Sequence, residues 1–120
     1  VIDAQPDRYD SEFDLTEFAF SGGTLLVPGC YDLKAPASRL RIAGSDVSLC
    51  RTPPQSSSIL NILPSVIDDI QPSDSSTCLI RLRCGQDFLV AQVTKRSVVS
   101  LALTNGEQVY AQVKSVTVKR

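Results

Sequence analysis

The 120-residue chain is long enough to bury the core of one compact domain or of two small subdomains. Its 12 basic and 13 acidic residues give a net charge of −1, which argues against a nucleic-acid surface, since such surfaces carry a basic excess. No apolar run approaches the roughly 20 residues that span a bilayer, so we expect no direct membrane insertion. Because the chain starts at Val1 without a methionine, we expect it to be a piece of a longer protein.

Short strands separated by turns dominate the first half of the sequence. A hairpin is predicted around Ser21-Gly22-Gly23, because glycine supplies the positive φ that a tight turn needs. Pro6 is expected to stop the first strand. The predicted strands are residues 1–5, 13–20, 24–27, 39–43 and 47–50, with a loop at 7–12 and a linker at Thr52–Ser58.

The second half repeats this order with longer elements. A strand is predicted over residues 59–70, with Ile62, Val66 and Ile70 on one face and an irregularity at Pro64. A turn at 71–76 follows. A second hairpin then pairs residues 77–84 with 87–93 across Gly85-Gln86.

One short helix is predicted after this hairpin. Thr94 is placed to cap its first turn, and Asn105-Gly106 is placed to end it. Val98, Leu101 and Ala102 are expected to line its apolar side.

The closing segment, residues 109–118, carries the most informative pattern. Val109, Ala111 and Val113 share one face of a strand, whereas Val116 and Val118 belong to the opposite face. A slip of one residue turns every later side chain over, so we predict a bulge or bend at Lys114-Ser115.

An internal repeat is indicated by two pairs of similar segments. Residues 1–6 resemble residues 66–72, and residues 45–49 resemble residues 114–118. Strands in meander order with one helix describe a small OB-like barrel. We therefore predict an all-β chain of two imperfect OB-like barrels, residues 1–55 and 56–120, with exchange of strands between them left open.

Catalytic and metal chemistry are not supported by the residue types present. The sequence has no histidine, and the four cysteines, at positions 30, 50, 78 and 84, lack C-x-x-C spacing. Cys78 and Cys84 fall on the apolar face of an alternating strand and are expected to be reduced core thiols. We predict that this chain is not an enzyme and holds no metal.

Anion binding is the better candidate for chemistry. A small oxyanion needs convergent hydroxyl and N–H donors with a cation. Ser56-Ser57-Ser58 with Asn61, and Lys114-Ser115 at the predicted bulge, offer these groups. A plain linker and a solvated lysine are the alternative readings of the same residues.

At these residues the sequence resembles the molybdate-binding OB-like domains called TOBE or mop domains. The similarity rests on Ser58-Ile59-Leu60-Asn61 before a strand and on the closing segment Ala111 to Val116. With residues 41–49 and Pro53-Pro54-Gln55, the succession is similar to the C-terminal regulatory region of the ATPase subunit of molybdate ABC importers.

The resemblance implies a site and a set of partners. It points to Ser58, Asn61, Lys114 and Ser115 as oxyanion-binding residues between two domains or subunits. It implies molybdate or tungstate as the ligand and a second copy of the chain as a partner. It also implies a preceding ATPase domain that would use ATP and Mg²⁺ and contact a permease, at the cytoplasmic face of the plasma membrane.

One departure from the family pattern concerns Leu60. Stand-alone mop domains usually carry arginine there, and loss of a guanidinium removes a charge-assisted contact to an anion. This leaves open a structural alternative, in which the chain dimerises the ATPase of a sulfate-type or sugar-type importer and binds no ligand. A third alternative, an OB-type nucleic-acid binder, is disfavoured by the presence of only four Phe and three Tyr.

Overall fold

The computed structural model describes residues 1–119, which form ten strands, one α-helix and one 3₁₀ turn. The first-half strands are β1 (Ile2–Asp10), β2 (Leu15–Phe20), β3 (Gly23–Pro28), β4 (Ser38–Arg41) and β5 (Val47–Cys50), with the 3₁₀ turn Gly44–Asp46 before β5. The second-half elements are β6 (Asn61–Pro72), β7 (Thr77–Cys84), β8 (Asp87–Thr94), α1 (Lys95–Ser100), β9 (Gln108–Val113) and β10 (Thr117–Lys119). None of these helices is long and apolar enough to cross a membrane within the part of the chain described.

The strands form two five-stranded antiparallel sheets of matching topology. The first sheet has the order β10-β4-β1-β2-β3, and the second has the order β5-β9-β6-β7-β8. Each half of the chain therefore contributes four strands to one sheet and its last strand to the other. The sequence analysis left this exchange open. Because of it, each sheet is complete only when both halves of the chain contribute strands.

Matching bulges show how the two sheets correspond. β1 shifts register at Asp7, between Pro6 and Arg8, and β6 shifts at Asp68, between Ile67 and Asp69. A bulge adds one residue and bends the strand, which helps a sheet to curl. The two long strands thus bend at equivalent points.

The register corrects the predicted alignment of the repeat at its start. Ile2 pairs with β4 and lies five residues before the bulge in β1. Leu63 pairs with β9 and lies five residues before the bulge in β6. Ile2 therefore corresponds to Leu63, and matching residues 1–6 with 66–72 is wrong by four positions. The alignment at the end agrees with the structure, because Leu49 and Val118 occupy the same place beside β9 and β4.

The prediction that Pro6 stops the first strand is wrong. β1 continues to Asp10, so residues 7–10 of the predicted loop are strand. β4 pairs only with Ile2 to Ala4, and at Pro6 the strand is bonded on one side alone, to β2. Proline is tolerated there because a free edge needs no N–H donor.

The predicted face of the long strand β6 is also wrong. Leu63, Ser65 and Ile67 are buried, whereas Ile62 and Val66 are half-buried on the other side. The irregularity lies at Asp68 and not at Pro64, which pairs in register with β9. Because the bulge reverses the side-chain alternation, Ile70 packs against the core although Ile62 does not.

The short helix begins as predicted and ends earlier. The Ser97 N–H donates to Thr94 Oγ1 at 3.1 Å, which confirms the cap. The helix stops at Ser100, before Asn105-Gly106, because Ala102 adopts a left-handed backbone conformation with a φ of 51°. Leu103 is buried instead of Ala102.

The closing segment is broken rather than bulged. Val109, Ala111 and Val113 are buried as predicted, but β9 ends at Val113 and β10 starts at Thr117 in the other sheet. The parity slip at residues 114–116 therefore marks the crossing from the second sheet to the first. The prediction of one continuous strand is wrong, since its two parts serve different cores.

Two hairpin turns meet where the sheets adjoin. The Gln86 N–H donates to Ser21 Oγ at 2.8 Å, and Ser21 Oγ lies 3.1 Å from Asp87 Oδ2. A Cβ on Gly22 would lie 2.4 Å from Cys84 Sγ, so only glycine fits this contact without movement. Cys84 is buried, as predicted, and burial raises the pKa of its thiol.

Candidate functional site

A cavity of about 320 Å³ opens where β6 begins and β9 ends. Its lining contains three of the four predicted site residues, Ser58, Asn61 and Lys114. Ser115 is exposed and is not among the lining residues. The remaining walls are largely apolar and are formed by Leu15, Leu26, Pro28, Ile59, Leu60 and Val113.

Asn61 holds this corner together through its carboxamide. The Leu26 N–H donates to Asn61 Oδ1 at 2.7 Å, and Asn61 Nδ2 donates to the Leu26 carbonyl at 2.9 Å. Asn61 is 8% exposed. An amide group carries two N–H donors, so one Nδ2 hydrogen remains for a ligand.

Lys114 supplies the positive charge of the cavity. Its backbone N–H donates to the Asp46 carbonyl at 2.8 Å, which fixes the main chain at the crossing between sheets. The side chain is exposed, and the three ion pairs found among residues 1–119 do not include it. The ammonium is therefore available to an anion.

The segment that carries Ser58 is shaped by a residue that the sequence reading did not single out. Ser57 Oγ accepts a hydrogen bond from the Ile59 N–H at 3.1 Å, and Gln112 Nε2 lies 3.4 Å from the same oxygen. Ser57 thus attaches the linker to β9. The serine run predicts a hydroxyl donor in this region, but the sequence pattern does not distinguish Ser57 from its exposed neighbour Ser58.

Arg51 anchors the other end of the linker. Its guanidinium donates to the Leu101 and Ala102 carbonyls at 2.6 and 2.7 Å and pairs with Glu107 at 2.8 Å. Glu107 also accepts hydrogen bonds from the backbone N–H and the hydroxyl of Thr104. These contacts, the Arg51 bond first, lower the pKa of Glu107 to about 2. The same bond to Glu107 raises the pKa of Arg51.

A second cavity, of about 350 Å³, lies on the other side of Lys114. Lys114 and Ile59 belong to the walls of both cavities. The second cavity is more polar, and its lining includes one acidic residue, Asp46, with the hydroxyl residues Ser45, Ser48, Thr94 and Ser97. Among residues 1–119 there is no group of three His, Cys, Asp or Glu residues that could hold a metal ion.

Comparison with protein families places the chain. The model of the TOBE domain matches residues 57–119, slightly more than half of the sequence. The chain belongs to the TOBE domain family. The family predicted from Ser58 to Asn61 and from the closing segment is thereby confirmed.

Curated relatives resemble nearly all of this TOBE chain. The molybdenum import ATP-binding protein ModC of Thiobacillus denitrificans is 40% identical over 117 residues, which are 97% of the chain and 32% of that protein. The ModC proteins of Rhodopseudomonas palustris strain HaA2 and of Aromatoleum aromaticum are 40% and 38% identical, over 96% and 100% of the chain. The chain spans about a third of the length of these relatives.

A solved structure supports the fold of the TOBE chain. The cytoplasmic molybdate-binding protein ModG, with molybdate bound, matches with a TM-score of 0.79 over 98% of this chain and 92% of that one. At 17% identity the likeness establishes the fold alone. The predicted class, all-β with tandem OB-like barrels and one short helix, is confirmed for the described residues.

Proposed function

We propose that this chain is the accessory, regulatory domain of the ATP-binding subunit of a molybdate-type ABC importer and that it binds a tetrahedral oxyanion. The observation that carries the proposal is the cavity shared by Ser58, Asn61 and Lys114. It offers a hydroxyl, an amide N–H and a cation, which are the donors that such an anion requires. Molybdate is the ligand we propose, by analogy with the names of the relatives, and we propose tungstate beside it as a tetrahedral oxyanion of the same charge.

The cavity by itself provides only one side of an oxyanion site. Ser58 and Lys114 are exposed, and Ser115 lies outside the lining. A small oxyanion held at such an open surface would keep much of its water, so we propose that a second copy of the chain closes over it and that Ser115 faces that copy. Dimerisation and oxyanion sensing are then the same event.

The wider setting follows from the same proposal. An ATPase domain elsewhere in the parent protein would bind ATP and Mg²⁺ and contact a permease, and this domain would perform no catalysis. The parent would work at the cytoplasmic face of the plasma membrane. We also propose that residues 1–55 and 56–120 are the two repeated units, each completed by the last strand of the other.

A purely structural role in holding two ATPase subunits together is the second candidate. It is favoured by Leu60, which is 63% exposed at the rim of the cavity. A large apolar side chain there suits contact with protein better than contact with an anion. In that case Ser58 and Lys114 are ordinary surface residues.

Isothermal titration of the chain with molybdate, tungstate and sulfate separates the two candidates. Saturable heat with molybdate or tungstate, and less with sulfate, is expected for the regulatory domain. If no heat appears with any of the three at millimolar concentration, only the structural role stands. Sedimentation velocity, with and without molybdate, tests whether the chain dimerises and whether the ligand promotes it.

A further inference from the structure

The segment of the first repeat that corresponds to Lys114-Ser115 lies in direct contact with the proposed site. The 3₁₀ turn Gly44–Asp46 leads into β5, just as residues 114–116 lead into β10, and β5 and β10 hold equivalent places in the two sheets. Ser45-Asp46 thus corresponds to Lys114-Ser115. The Lys114 N–H bonds to the Asp46 carbonyl, so the two equivalent corners lie side by side.

This arrangement gives the Lys114 ammonium two places in which it could meet an anion. On one side is the cavity with Ser58 and Asn61, whose lining contains no carboxylate. On the other side is the cavity that contains the half-buried Asp46. The Asp46 carboxylate is absent from the ion pairs of residues 1–119, as is Lys114, so neither group is committed to another partner.

We propose that Asp46 is an affinity-setting residue, an internal anion that competes with the bound oxyanion for Lys114. The inference rests on the proposed function. Lysine is a point charge on a flexible four-carbon stem, so its head can turn towards either cavity without moving the backbone. While the head faces Asp46 the oxyanion cavity lacks its cation, and an oxyanion must displace that contact in order to bind.

Asp46 is half-buried and the Lys114 side chain is exposed, so an ion pair between them would be partly exposed, which sets the expected size of the effect. Exposed ion pairs contribute about 0.2–1 kcal/mol, so removing the competing charge should tighten binding by a factor of about 1.4 to 5. Salt weakens such pairs, and the gain should therefore shrink as ionic strength rises.

The test is a titration of molybdate into four variants at low and high salt. Asp46→Asn should bind more tightly than the wild type by a factor of about 1.4 to 5. Asp3→Asn removes the same charge from an exposed position on β1 and controls for the overall field. With Lys114→Ala as background, Asp46→Asn should change the Kd no more than Asp3→Asn does.

The outcomes separate this inference from the proposed function. Wild-type binding with equal affinities for Asp46→Asn and Asp3→Asn overturns the role of Asp46 and leaves the site standing. A gain that persists without Lys114 also overturns it, since the aspartate would then act by its field alone. Binding that appears only in Asp46→Asn supports the competition and contradicts wild-type sensing, and binding in neither variant overturns both.

Discussion

Asn61 and Leu26 exchange two hydrogen bonds, of 2.7 and 2.9 Å, which join the first residue of β6 to the middle of β3. β3 is an edge strand of the first sheet. On its open side, the Asn61 carboxamide makes the hydrogen bonds that a neighbouring strand would otherwise make. The pair connects the two sheets at the wall of the cavity that Ser58 and Lys114 also line. Asn61 is therefore as much a structural residue as a candidate ligand.

Replacing Asn61 should destabilise the fold. Asn61→Ala leaves the Leu26 N–H and carbonyl without partners in a partly buried place, at a cost of about 1–3 kcal/mol of unfolding free energy. Urea denaturation followed by circular dichroism measures this. Asn105→Ala, at an exposed turn, is the matched control and should change stability by less than about 0.5 kcal/mol. Equal stability of the two variants would show that the Leu26 groups are satisfied without Asn61.

Lys114→Ala should weaken oxyanion binding without unfolding the protein. A hydrogen bond to a charged group is worth about 1.5–3 kcal/mol, so the Kd for molybdate should rise on the order of tenfold or more. Titration calorimetry gives the Kd, and the urea midpoint should stay near that of the wild type because the side chain is exposed. Lys34→Ala removes the same charge from the exposed loop before β4. Equal affinities for the two variants would contradict the assignment of Lys114.

The bond between Arg51 and Glu107 makes the stability of the linker pH-dependent. Contacts with Arg51 and then with Thr104 lower the pKa of Glu107 from 4.5 to about 2. For a carboxyl with a lowered folded-state pKa, the stabilisation is complete above pH 4.5 and is lost as the pH falls towards 2. Glu107→Gln should therefore be less stable than the wild type at pH 7, and the difference should diminish below pH 4.5.

Urea midpoints of both proteins between pH 7 and pH 2.5 check this dependence. Glu12→Gln, in an exposed loop, serves as the control for removal of one carboxylate. A gap between Glu107→Gln and the wild type that stays constant down to pH 2.5 would contradict the role of ionised Glu107.

Local patterns in the sequence predicted the local features of this fold. Alternation correctly placed Val109, Ala111 and Val113 in the core, and Thr94 correctly marked the start of the helix. The errors arise where distant segments meet. Pro6 sits inside a strand because β4 ends beside it, and no residue near Pro6 carries that information.

The site was predictable to a similar extent. The residue types pointed to the serine run 56–58 with Asn61 and to Lys114-Ser115, and the family resemblance selected Ser58 from the run. The structure brings Ser58, Asn61 and Lys114 to one cavity and leaves Ser115 outside its lining. The bond from Asn61 to Leu26 and the contact of Lys114 with the Asp46 corner could not be foreseen, because the first depends on β3 lying beside β6 and the second on the exchange of β5 into the second sheet. The change of side-chain parity at Lys114 was the local sign that β10 crosses into the first sheet.

Leu60→Arg should strengthen oxyanion binding if the cavity is an anion site. Leu60 is 63% exposed at the rim, so a guanidinium can be placed there without disturbing the core and can donate to an anion in a bidentate manner. A gain of about 1.5–3 kcal/mol for a charged contact corresponds to an affinity at least on the order of tenfold tighter.

The control is Val99→Arg, which adds the same charge at a residue that is 78% exposed on α1. A gain specific to Leu60→Arg, measured by calorimetry with molybdate and sulfate, would show that the natural leucine weakens a working site. If both variants bind as the wild type does and Leu60→Arg instead lowers the dimer fraction in sedimentation, Leu60 belongs to a protein interface. That result would favour the structural role over sensing.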